Sequence, residues 1–217
     1  WQNHWLKPIV PAGGSLPVSN FVGKVSGDGL GNVGKRSFTG ANIPTLVNPN
    51  SSVGAFGENE QVHYDLIKVL DGNVNPSTSS VNLSIAQQLF SFNILDILER
   101  QFSPSVWQGK TSVADRVAIA KALVTRHTFN WYGYGSSVGG NNCSIYRWIG
   151  ASWTSVQSHT NGSVSKLTIT YADGFNIDTN GYSHFLSNSL ASDGIIPSTI
   201  NTDYVELLLT VGTAPVI

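Results

Sequence analysis

From His127 onward the hydrophobic pattern repeats every two residues, and this alternation limits the fold more than any other feature. It is cleanest near the end of the chain. There Val205, Leu207, Leu209 and Val211 fall on one side of an extended strand, and Tyr204, Glu206, Leu208 and Thr210 on the other. Further candidate strands are 127–135, 143–149, 152–158, 164–171 and 182–190. Gly139-Gly140-Asn141-Asn142, Asn161-Gly162-Ser163 and Thr179-Asn180-Gly181 separate them with turn chemistry. Short strands with regular turns predict an antiparallel, jelly-roll-like β-sandwich over 127–217.

The first 126 residues read differently. Residues 1–57 are rich in Gly, Pro, Asn and Ser and predict an arm of loops and short strands, with Phe21 to Val25 and Thr45 to Val47 extended. Residues 58–126 predict a helical segment. Val62, Leu66, Ile67, Val69 and Leu70 are helically spaced, with Gly72 placed as a C-cap. Between Asn82 and Phe102 the sequence allows a continuous helix or one broken near Ser91 or Asn93. Residues 111–124 carry the clearest helix, opened by Ser112 with Asp115 three positions on. The expected fold is therefore mainly β with helices: arm, helical segment, then sandwich.

Composition narrows the function classes. Only 12% of residues are charged and the formal net charge is -1, so nothing attracts a phosphate backbone and nucleic acid is not an expected partner. Trp 6, Tyr 7 and Phe 9 supply the aromatic mass for a core, which argues against disorder despite the low charge. No apolar run approaches the ~20 residues a membrane span needs. One Cys excludes an internal disulfide framework and a Cys-rich zinc site, and Cys143 reads as a buried inert thiol. The five His are not spaced as zinc ligands. The chain has no Met, as expected of a piece trimmed or cleaved from something longer.

No catalytic residues stand out. The acids are scattered, with no facing carboxylate pair. Ser91 lacks a nucleophile elbow, and the glycine run 27–31 lacks the strand–helix context of a dinucleotide loop. Sequons at Asn50, Asn82, Asn142 and Asn161 say little in a chain so rich in Asn, Ser and Thr. The loop at 173–181 resembles half a calcium loop, with Asp173, Asn176, Asp178 and Asn180 as oxygen ligands. It lacks the closing bidentate Glu, and an ordinary Asx turn explains the same residues. The aromatic set is the most suggestive feature. Phe129 and Trp131 read as core. Tyr146, Trp148 and Trp153, with Arg147 between them, crowd a hairpin where rings could stack on the C–H faces of sugars.

Several segments carry a resemblance. Asn20-Phe21-Val22-Gly23-Lys24-Val25, Leu89-Phe90-Ser91-Phe92-Asn93, Ala114-Asp115-Arg116-Val117 and Asn130-Trp131-Tyr132-Gly133-Tyr134-Gly135-Ser136 are similar to structural proteins of phages of Gram-positive bacteria, Bacillus-type. Ala191-Ser192-Asp193-Gly194 and the run Ser198 to Leu207 fit the same family. The resemblance implies a module of a tail fibre, tail spike or related virion appendage. It would be extracellular on the virion, homotrimeric and joined to other appendage proteins. It would bind a host cell-wall glycan (teichoic acid or polysaccharide) without enzymatic activity. A glycan depolymerase and a purely structural trimerisation or capping piece are the alternatives.

Overall fold

The computed structural model describes residues 14–27, 34–39, 43–49, 56–172 and 174–212. Asp173, Asn50 and most of the 27–31 glycine run fall outside them. The chain forms two antiparallel sheets facing each other across one aromatic core, so the expected β-sandwich with helices is what the protein adopts.

The first sheet is built around two 14-residue strands, β7 (Val124–Ser137) and β13 (Ser198–Val211), with β11 (Ser165–Ala172) on the far edge of β7. The other edge of β13 is lined in succession by β5 (Asn75–Ser79), β2 (Ser19–Asn20) and β1 (Gly14–Ser15). The two-residue strand β8 (Gly140–Asn141) folds back on the end of β7. The second sheet runs β10 (Ser152–His159), β9 (Cys143–Ile149), β12 (Tyr182–Asn188), β6 (Gln87–Asn93), β3 (Gly34–Thr39), β4 (Phe56–Glu58). Both sheets thus take strands from the arm, from 58–126 and from 127–217. The helical segment holds α1 (Gln61–Ile67), α2 (Ile94–Phe102) and α3 (Val113–Leu123), but it also contributes β5 and β6.

The alternation from His127 onward is confirmed: Val205, Leu207, Leu209 and Val211 are all at most 1% exposed. Residues 82–93 depart from the helical expectation, because 87–93 form a central strand and the helix starts only at Ile94. Six side chains of β6, among them Leu89 and Phe92 that also fit a helical stripe, are buried on the two sides of the sheet. Gln88, Phe90 and Phe92 face the inter-sheet core, while Gln87, Leu89 and Ser91 are buried on the other face. A strand covered on both faces loses the two-residue signature and reads as a continuous apolar run. Gly72 is also not a helix cap. α1 ends at Ile67, and Gly72 serves a turn with φ +86°. Phe21 to Val25 bends rather than extends, with Lys24 N–H donating to the Phe21 carbonyl, and Thr45 to Val47 joins no strand ladder.

The inter-sheet core is aromatic. Phe129 on β7 stacks on Phe185 on β12 at 4.1 Å and 2°, with Phe90 and Phe92 packed around the pair. Each such ring pair contributes about 0.5–1.5 kcal/mol beyond its burial. A polar relay crosses the same layer. Trp131 Nε1–H donates to Thr202 Oγ1 at 2.7 Å, Thr202 donates to Gln88 Oε1, and Gln88 Nε2 donates to the Asn75 carbonyl at 3.0 Å. Every buried donor in that chain therefore has an acceptor. The Trp131 ring lies across Gly133, where a Cβ would sit 2.4 Å from the ring and 2.1 Å from the Asn201 carbonyl oxygen. No larger residue fits there.

The arm is fastened through buried charge. Lys24, 4% exposed, meets Glu58 at 2.8 Å, and Tyr64 of α1 donates to the same carboxylate oxygen at 2.9 Å while stacking on Phe21. A β13 irregularity at Thr202/Tyr204 places Asp203, 1% exposed, where it accepts the N–H groups of Asp71 (3.2 Å) and Gly72 (2.9 Å). Asp203→Ala should lower unfolding free energy by about 2 kcal/mol in denaturant titrations, because two donors lose a charged acceptor. Asp203→Asn, which keeps one acceptor oxygen, should lose less.

Candidate functional site

The expected site lay on the β9–β10 hairpin, and the sheet register fixes what each of its residues faces. Trp148 pairs with Trp153, Tyr146 pairs with Leu186 on β12, and Leu186 pairs with Leu89 on β6. These side chains occupy the face of the second sheet that points away from the inter-sheet core. Segment 43–49 crosses that face. Gln87 fixes it at both ends of its amide, accepting the Val47 N–H at 2.8 Å and donating to the Thr45 carbonyl at 3.0 Å. Val47, Leu89 and Leu186 form a second small core there, with Tyr146 and Trp153 packed against it.

The four aromatic-site residues therefore have different environments. Trp153 donates its indole N–H to the Val47 carbonyl at 2.6 Å, so it helps to hold segment 43–49. Trp148 is 6% exposed and edge-on to Trp153 at 5.1 Å; its indole N–H is buried with no hydrogen-bond partner. Arg147 points to the opposite face, where its guanidinium lies 4.9 Å from the centre of the Tyr171 ring. Of the four, Tyr146 alone lines the cavity described next. The expected outward stack of rings is thus not formed by Trp148 and Arg147.

The open space is a cavity of about 170 Å³ beside Tyr146. Ser158, Ser144 and Asn188 form one row across β10, β9 and β12 at its floor. His159 and Thr160 lie on one side, and Asn142, Ser189 and Leu190 on the other. Asn142 is held rigid: its Oδ1 accepts the Ser189 hydroxyl and the Leu190 N–H, and its Nδ2 donates to Ser137 Oγ and the Gly140 carbonyl. The lining is neutral, with neither a carboxylate nor a cationic side chain.

Cys143 and His159 look like a nucleophile and base but lack that chemistry. Sγ lies 3.3 Å from Nε2, yet burial pushes the thiol pKa up to about 12 and pushes that of His159 below its usual value. His159 Nδ1 accepts the Asn161 N–H at 3.2 Å, which leaves the proton of the neutral ring on Nε2, aimed at the sulfur. A protonated thiol beside a neutral imidazole is not an activated pair. The expectation that Cys143 is buried holds.

A Ser–His–Asp line also occurs. Ser91 Oγ is 2.7 Å from His184 Nδ1, and His184 Nε2 is 3.3 Å from Asp178 Oδ2. Ser91 and His184 are 5% and 6% exposed, and their row lies two pleats along the strands from the cavity. With Nε2–H donating to Asp178, the ring accepts the Ser91 hydroxyl, so the line ties β6, β12 and the loop before β12 together. Asp178 Oδ1 in turn accepts the N–H groups of Asn180 (2.9 Å) and Tyr182 (2.8 Å). Burial alone would raise its pKa, but the bonds from His184 and from those two amides outweigh it and hold the carboxyl below the usual range. Of the residues read as half a calcium loop, Asn176, Asp178 and Asn180 lie in a turn before β12, and Asp173 lies outside the described residues. Both oxygens of Asp178 are committed, Asn180 is exposed, and Asn176 is buried with Oδ1 lacking a partner. Among the described residues no cluster of three or more His, Cys, Asp or Glu could hold a metal ion.

No protein-family model matches the chain, and no curated protein matches it by sequence. The sequence missed Ser144, Ser158, His159 and Asn188 as site residues. Their positions on alternate sites of neighbouring strands were legible, but small polar residues there look like any wet sheet face.

Two outcomes are expected. Trp148→Ala should cost about 3–5 kcal/mol of stability in chemical denaturation, as for other buried indoles. Asp178→Asn should destabilise by the same amount with calcium or with chelator. The carboxylate's contribution is complete above the ordinary Asp pKa and is lost as pH falls through the lowered folded value. The gap between wild type and Asp178→Asn should therefore close as denaturation is repeated from about pH 5 down to pH 2.

Proposed function

We propose that this chain is a non-enzymatic carbohydrate-binding module of a phage virion appendage, recognising a host cell-wall polysaccharide during adsorption. The observation that carries the binding reading is the cavity beside Tyr146, with a floor of neutral hydroxyl and amide groups on three rigid strands. Sugar hydroxyls need donors and acceptors at fixed positions, and Ser144, Ser158, Asn188 and neutral His159 provide both. The half-buried Tyr146 ring offers an apolar edge for a sugar C–H face. The binding surface differs from the one the hairpin sequence suggests, because Trp148 and Trp153 are engaged in packing.

The neutral lining also selects within the glycan class. Phosphate oxygens are best held by Arg or Lys, and none lines the cavity. An uncharged saccharide fits better than the polyanionic backbone of a teichoic acid. Hydrolysis of a glycosidic bond needs two facing carboxylates, which this cavity does not offer, so binding is favoured over cleavage. A site this small binds weakly. Multiple copies on one particle would supply avidity through effective concentration. The phage setting rests on the sequence resemblance alone.

The test is a binding titration with purified cell-wall polysaccharide and, separately, teichoic acid. Ser158→Tyr fills the cavity from an exposed position and should weaken polysaccharide binding at least tenfold without changing the melting temperature. Undiminished binding by Ser158→Tyr, or no polysaccharide binding by the wild type, would remove this site from the account.

A further inference from the structure

The outward face of the first sheet carries a second ordered set of aromatic and polar side chains. The register puts Lys166, Tyr132 and Tyr204 in one row across β11, β7 and β13. Thr168, Asn130, Glu206 and Asn20 form the next row, which reaches β2. Their chain neighbours Phe129, Trp131, Val205 and Leu207 lie in the inter-sheet core, so both rows point away from it. The cavity beside Tyr146 lies on the outward face of the other sheet, so the two places are on opposite sides of the sandwich.

Five of these side chains form one continuous hydrogen-bond chain over four strands. Asn20 Nδ2 donates to the Tyr204 hydroxyl (2.9 Å), which donates to Glu206 Oε2 (3.2 Å). Asn130 Nδ2 donates to Glu206 Oε1 (2.6 Å), and Thr168 Oγ1 donates to Asn130 Oδ1 (2.8 Å). Burial pushes the Tyr204 pKa up despite the bond from Asn20, so the phenol keeps the proton that it donates. The chain holds the Glu206 carboxylate in one orientation, with one bond to each oxygen and acceptor capacity left over on both. The half-buried rings of Tyr132 and Tyr204 stand beside it, 5.6 Å apart and inclined at 45°. The exposed Lys166 ammonium lies 5.5 Å from the centre of the Tyr132 ring.

We infer that this face is a second binding site, for a stretch of uncharged polysaccharide lying across the strands, so that one chain engages two glycan segments on opposite sides. A carboxylate fixed in place accepts adjacent sugar hydroxyls, and the two tyrosine rings beside it meet sugar C–H faces. Lys166 and Thr168 supply donors at the β11 edge. A polyanion would bring its charge against Glu206. A proline-rich peptide would stack on the rings, but its prolines have no N–H to give the carboxylate. A sheet face offers a platform rather than a hollow, which suits the middle of an extended chain, whereas the cavity beside Tyr146 suits a single sugar unit. The ligand class rests on the glycan reading above; the location makes no use of the cavity.

Affinity electrophoresis of the full chain through gels holding neutral cell-wall polysaccharide, freed of teichoic acid, tests it, with Ser158→Tyr reporting on the cavity. Tyr132→Ala should weaken binding about tenfold and Glu206→Gln several-fold, each with the wild-type circular dichroism spectrum. Changing a ring and a carboxylate separately keeps the test valid if one variant misfolds. Ser158→Tyr should retain residual binding, and Ser158→Tyr combined with Tyr132→Ala should retain none. Undiminished binding in every folded platform variant, or no residual binding in Ser158→Tyr alone, would overturn the inference and leave the cavity standing. Weakened platform variants beside a Ser158→Tyr of wild-type strength would strike the cavity and keep this site. Binding of a decaproline peptide that Tyr132→Ala abolishes would overturn it in favour of a peptide ligand, and a wild type that ignores the polysaccharide would overturn both readings.

Discussion

The stack of Phe129 on Phe185 joins the two sheets at their centre, and the register of every strand that carries the candidate site follows from it. β12 holds Phe185 inward, so Leu186 and His184 must face outward. β9 pairs with β12, so Tyr146 and Trp148 follow Leu186 outward while Ile145 and Arg147 turn in. Shifting one strand by a single residue would exchange those faces. The polar relay from Trp131 to Asn75 fixes the same alignment with directional bonds, which apolar contact alone cannot do.

Outward on this sheet does not mean exposed. Segment 43–49 covers part of the face, and the residues beneath it bury apolar side chains on both sides of the strands. The hairpin aromatics are divided by this cover. Trp153 is bonded to it, Trp148 is enclosed, and Tyr146, on the cavity side, keeps an open edge. Local packing decides which aromatic can meet a ligand, and the supply of rings in the sequence does not.

This explains how much could be read in advance. β7, β11 and β13 were legible because their burial alternates along the strand, whereas β12, buried on both faces, was marked by the turn Thr179-Asn180-Gly181 before it. α3 was legible from Ser112 and Asp115, whose mutual hydrogen bonds close its first turn. β6 was not, since both faces are covered. The two-residue strands β1 and β2 could not be foreseen either, because each exists only by pairing with β13 nearly two hundred residues away. At the site, the chemistry of the hairpin was visible but its partner was not. Whether an indole at 148 or 153 is free depends on a segment about a hundred residues earlier, whose sequence says nothing about where it lands. The half calcium loop shows the converse: Asp, Asn and Gly at these spacings serve a turn as readily as an ion, and Asp178 accepts two turn amides here.

The environment of Cys143 bears on how copies of the chain can be joined. It is the only cysteine, it is buried beside His159, and burial pushes its thiol pKa up to about 12. Bridging two copies through sulfur would require a thiolate at the surface. A contact between copies of this chain would therefore involve surfaces other than this sulfur. Cys143 in its buried place would leave no disulfide between copies for a reductant to cut.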